Sequence, residues 1–87
     1  MRQLVEKGWR QIDSNPIAAE RTFEEAVRRA PDDDEANYGY GYALLLRSRP
    51  EAATYLCRAR RAKNAEIQQD VRGLLATHRL SCDEGVR

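Results

Sequence analysis

The chain repeats itself at a step of 33 residues. Residues 15–31, NPIAAERTFEEAVRRAP, carry Ala19, Phe23 and Ala26 at i, i+4 and i+7, the spacing of one buried helical stripe, with Glu20, Arg21, Glu24, Glu25 and Arg28 mostly off it. The step of 33 takes Ala19 to Ala52, Phe23 to Leu56 and Ala26 to Ala59; upstream it takes Val5 to Tyr38, Gly8 to Gly41, Trp9 to Tyr42 and Ile12 to Leu45. A period of this size, with two helical segments per unit and small residues at matched positions, predicts stacked helix pairs, none of which covers its apolar face alone.

Punctuation along the chain agrees with that reading. Asn15 is a natural cap and Pro16 occupies the first helical position, where a missing amide donor costs nothing. Ser48-Arg49-Pro50 repeats the break made by Ser14-Asn15-Pro16, and Pro31 closes the first unit. The pattern predicts helices over about 2–13, 16–30, 33–47 and 50–62, then a fifth over 65–80. That last segment places Ile67, Val71, Leu74, Leu75 and His78 on one stripe, as the first helix of a third unit whose second helix is missing, and caps the stack. The expected organisation is one domain over 1–80, with units at 2–31 and 32–64, and a frayed tail over 81–87. Alternation of Tyr38, Tyr40 and Tyr42 would suit a strand by period alone; the repeat register and the continuation through Leu46 favour a helix.

Leu4, Gly8, Ala19, Phe23, Ala26 and Pro31 in the first unit, with Tyr40, Gly41, Leu44, Ala52, Leu56 and Ala59 in the second, resemble the tetratricopeptide repeat family. Asn37 stands where that family has Trp, Asn64 stands at the closing Pro, and Lys7 and Gln11 replace apolar residues. The resemblance implies an all-α fold, a right-handed solenoid of helical hairpins with five helices, whose first helices line a concave groove. It also implies a non-catalytic scaffold or adaptor that takes a peptide or helix of another protein in that groove. The groove positions fall on Val5, Trp9, Ile12, Tyr38, Tyr42, Leu45, Val71 and Leu75, together with His78. Some family members clamp a terminal carboxylate with Lys and Asn; here Val5, Trp9 and Gly39 hold the corresponding places, so that clamp is absent. An open apolar groove also invites self-association, and the chain could be part of a longer array.

Charge is dense but balanced, 33% charged residues with a net of +1, which gives no overall field for nucleic acid or an anionic membrane. The halves differ: residues 1–46 carry −3 and residues 47–87 carry +4. Asp32, Asp33, Asp34 and Glu35 gather at an expected helix start, and Arg58, Arg60, Arg61 and Lys63 near a helix end, both favourable to the helix dipole. The basic cluster and the tyrosines could together bind RNA, but the cluster belongs to a second helix, facing away from the rings, so nucleic acid is disfavoured. No apolar run approaches the roughly 18 residues needed to span a bilayer, and no secretion signal is visible, so a cytoplasmic chain without membrane insertion is expected.

Little here supports catalysis. His78 is the one histidine and is read as a packing residue; no phosphate loop, metal-ligand cluster or nucleophile elbow occurs, and no cofactor is expected. Cys57 and Cys82 lack metal-ligand spacing. If the last helix runs straight and antiparallel to the one holding Cys57, Cys82 lies on the order of 15 Å past it. Both are therefore expected as thiols.

Overall fold

A computed structural model describes residues 2–82. They form α1 (Arg2–Gln11), α2 (Pro16–Arg29), α3 (Asp34–Leu46), α4 (Ala52–Ala59) and α5 (Ala65–Thr77), with no strand among the described residues. The tyrosine alternation thus belongs to a helix. Three starts are capped by the residues whose chemistry suits them. Asn15 accepts from the Ala18 amide at 3.2 Å with Pro16 behind it, Asp33 accepts from Ala36 at 2.9 Å, and Asn64 accepts from Glu66 at 2.8 Å. α4 has no side-chain cap and is shorter than its expected 50–62, the chain on either side being taken up in turns.

Phe23 of α2 joins the two units. Its ring lies between Gly8 of α1 and Gly39 of α3, both of which would overlap it if they carried a Cβ. Gly41, on the opposite side of α3, admits Leu56 of α4 in the same way that Gly8 admits Phe23. This explains two glycines in one helix. α3 is the central element, pressed by α2 on one side and α4 on the other, and buries Ala36, Asn37, Gly39, Gly41, Ala43 and Leu44. Ala19, Phe23 and Ala26, and their counterparts Ala52, Leu56 and Ala59, are all buried. Each helix packs against the next, and α3 also touches α1 and α5. Complete burial of a side chain such as Phe23 or Leu56 is worth about 1.5–3 kcal/mol.

Asn37 fills its place with polar bonds in place of apolar bulk. It is 2% exposed, and its Nδ2 donates to the carbonyls of Pro31 and Asp33, both at 2.9 Å, tying the start of α3 to the turn between units. The acidic run at that turn faces the basic run at the end of α4: Asp34 Oδ2 accepts from the Lys63 amide at 3.2 Å, and Asp32, Asp34, Arg58 and Arg61 line one hollow.

The C-terminal end departs from expectation. α5 stops at Thr77, His78 caps it, and Arg79 takes a left-handed backbone (φ 56°). The Leu80 amide then bonds the Leu75 carbonyl at 2.8 Å and the Arg79 amide bonds that of Ala76 at 3.2 Å, which is a Schellman reversal. Ser48 (φ 57°) ends α3 by the same device, with Arg49 bonding Leu44 at 2.9 Å. The reversal folds Leu80 and Cys82 back onto the cluster of Leu56, Ala59, Val71 and Leu75. Cys57 and Cys82 are consequently joined as a disulfide, with Cα atoms 5.6 Å apart. The expectation of two thiols fails because the helix does not run straight on to residue 80. His78, expected to pack, is exposed for the same reason. The tail expected from residue 81 is anchored through Cys82, and residues 83–87 lie outside the described residues.

Candidate binding hollow on α1, α3 and α5

The 33-residue step places Trp9 on α1 and Tyr42 on α3 at matched positions, and Tyr38 lies one helical turn before Tyr42. The three rings meet. Trp9 lies 5.2 Å from Tyr38 and 5.7 Å from Tyr42, centroid to centroid, and the two tyrosines are 6.5 Å apart, all tilted. Trp9 is held from beneath by Phe23, edge to face at 5.1 Å. Each of the three rings is only partly buried. With Ile12, and with Gln69, Asp70, Gly73 and Leu74 of α5, they line an open hollow of about 540 Å³. A second hollow continues from it past Trp9, Tyr38 and Asp70 toward Arg2, Glu35, Glu66 and Ile67.

The eight groove positions read from the sequence divide. Trp9, Tyr38 and Tyr42 come together in the hollow, and Ile12 reaches its lining although it is 7% exposed and belongs to the core. Val5, Val71 and Leu75 are 3%, 0% and 7% exposed and belong to the core. Leu45 lies apart, beside Ser48, Arg49, Pro50, His78 and Leu80. The α5 wall of the hollow is instead supplied by residues displaced around the helix from Val71 and Leu75. Asp70 brings to that wall a charge that none of the groove positions given by the repeat step supplies. Its carboxylate accepts a hydrogen bond from the Tyr38 hydroxyl at 3.2 Å. Burial, and then the Asp70 charge, push the Tyr38 phenol up to about 12, which extends the alkaline range over which it keeps the proton it donates to Asp70.

Charge around the rings is unevenly satisfied. Arg2 lies 3.5 Å from Glu6 and 3.4 Å from Glu35, bracing α1 against α3. Glu66 and Asp70, at i and i+4 on α5, have no cationic partner among the described residues. On the far side of α3, Tyr40 and Tyr55 form a separate pair at 4.4 Å with Arg58 over the Tyr55 ring at 5.1 Å. Arg58 of the basic cluster is thus on the α4 side, so the expected separation of that cluster from the α3 rings holds for Tyr38 and Tyr42 and fails for Tyr40, whose partner ring Arg58 covers.

Among the described residues no group of three or more His, Cys, Asp or Glu side chains is placed to hold a metal ion, and no helix is long and apolar enough to cross a membrane. Cys57 is in a disulfide, and His78 is exposed at the end of α5. No family model, no curated protein and no solved structure matches this chain.

Proposed function

We propose that this chain is a non-catalytic interaction module built as a tetratricopeptide-like stack of helical hairpins, and that the hollow on α1, α3 and α5 receives a segment of another protein. One observation supports this above the others: Trp9, Tyr38 and Tyr42, from two units, converge on a shared hollow while each keeps part of its ring in solvent. Rings needed only as filler between helices would be enclosed, as Phe23 is. Tyr and Trp make strong anchors at interfaces because they combine apolar area with a polar group and lose little entropy on binding. Glycines at Gly8, Gly39 and Gly41 draw the helices close, which brings the rings of neighbouring first helices within reach of one another.

The pairing Gly8–Phe23 and Gly41–Leu56, repeated at the same step, is what supports a solenoid arrangement of the hairpins. The disulfide-closed form suits oxidising surroundings; in a reducing cytoplasm the same chain would carry two thiols.

The test is selection of displayed peptides against the immobilised domain, followed by affinity and unfolding measurements on Tyr42→Ala. The reading expects a loss of tenfold or more in affinity with a small change in unfolding midpoint. A loss of about 3–5 kcal/mol in stability, the range for an enclosed aromatic, would place Tyr42 in the core and remove the main support for the site.

A further inference from the structure

Aromatic faces attract cations through the ring quadrupole, most strongly at Trp, and the attraction grows when a carboxylate stands beside the rings. The Trp9 hollow has both parts. Its three rings lie within 5.2–6.5 Å of one another, and Asp70 stands at their edge, held there by the Tyr38 hydroxyl at 3.2 Å. Glu66, one turn earlier on α5, adds a second carboxylate along the continuing hollow. Arg2, which lines the continuing hollow, is already shared between Glu6 and Glu35. The face therefore presents aromatic rings and two carboxylates that have no ion-pair partner among the described residues.

Resting on the interaction reading above, we propose that the hollow takes an arginine side chain of the partner segment, its guanidinium stacked on the Trp9, Tyr38 and Tyr42 rings and its N–H groups donating to Asp70. Arginine fits better than lysine. Its planar, weakly hydrated guanidinium stacks on a ring while its fork still reaches a carboxylate, whereas an ammonium is a strongly hydrated point charge. An apolar neighbour on the same segment covers Leu74, and Glu66 favours a second basic residue along the continuing hollow. Tyr38 acts as a positioning residue: its hydroxyl fixes the Asp70 carboxylate at the ring edge.

Trp9 is the only tryptophan, so its indole N–H signal in a nitrogen–proton correlation spectrum reports the hollow directly. The probes are three capped pentapeptides, Gly-Leu-X-Leu-Gly, with X arginine, the isosteric but neutral citrulline, or glutamate, added at millimolar concentration to the disulfide-intact chain. The expected result is a Trp9 shift with arginine at least fivefold tighter than citrulline, and no saturation with glutamate. Asp70→Asn, an exposed substitution, should bring the arginine and citrulline affinities together. Equal binding of arginine and citrulline by the unaltered chain would overturn the arginine site while leaving a segment-binding hollow in place. An arginine preference that survives Asp70→Asn would overturn the assigned role of the carboxylate. If none of the peptides moves the Trp9 signal, the arginine site and the interaction reading fall together.

Discussion

Phe23 stands directly on Gly8: a Cβ on that glycine would lie 2.6 Å from Cζ of the ring. The ring is confined further by Gly39, on which a Cβ would lie closer still, 2.2 Å from Cε1. Alanine favours a helix over glycine by about 1 kcal/mol, so propensity alone makes Gly8→Ala stabilising. Overpacking an enclosed site costs about 1–3 kcal/mol and prevails here. Gly8→Ala should therefore lower stability, by up to about 2 kcal/mol, in urea unfolding. Gly73, whose Cβ would meet nothing within 4 Å, should gain about 0.5–1 kcal/mol on the same change. Opposite signs for two glycines in helices distinguish close approach from propensity.

The disulfide between Cys57 and Cys82 closes a loop across 25 positions and pins the Leu80 reversal to α4. Removing loop-closure freedom from the unfolded chain over such a span is worth about 3 kcal/mol. Cys57→Ala, or reduction with a thiol, should lower stability by about that amount and speed hydrogen exchange first at the Arg79 and Leu80 amides, which hold the Schellman turn. Unchanged exchange at those amides after reduction would show that apolar packing alone keeps the segment in place.

Two phenols make stability depend on alkaline pH. Burial, with Asp70 beside Tyr38 and Glu24 beside Tyr40, pushes both to about 12 from an ordinary 10. Between those values the unfolded chain has released the two protons and the folded chain still holds them. Their stabilising contribution is complete below pH 10 and is lost as pH rises through 12. The urea midpoint should accordingly fall across that window, and phenolate absorbance of the folded protein should show Tyr38 and Tyr40 titrating near pH 12, steps that Tyr38→Phe and Tyr40→Phe remove in turn.

What was legible in the sequence was what depends on neighbours in the chain or on the 33-residue step. Asn15 with Pro16 announces α2 because a cap acts over three residues, and Ala19, Phe23 and Ala26 announce its buried face because helical period is local. Trp9 and Tyr42 were found by register alone. Val5, Val71 and Leu75 went to the core because each first helix is covered on two sides, and which side faces the hollow depends on helix rotation that a repeat step does not specify. Asp70 was hidden for the same reason, being one residue before Val71 and so rotated toward Tyr38. The disulfide was hidden because Arg79 gives no glycine signal for the reversal it makes at φ 56°.

The most direct test of the account is where a bound segment lands. Peptides selected on the disulfide-intact domain should be titrated into labelled protein and the amide and indole shifts mapped. The account predicts the largest changes at the Trp9 indole, at Tyr38 and Tyr42 of α3 and around Asp70 and Gly73 of α5, with Arg58 and the Tyr40–Tyr55 pair unmoved. Shifts centred on Tyr55 and Arg58, with Trp9 unchanged, would contradict it.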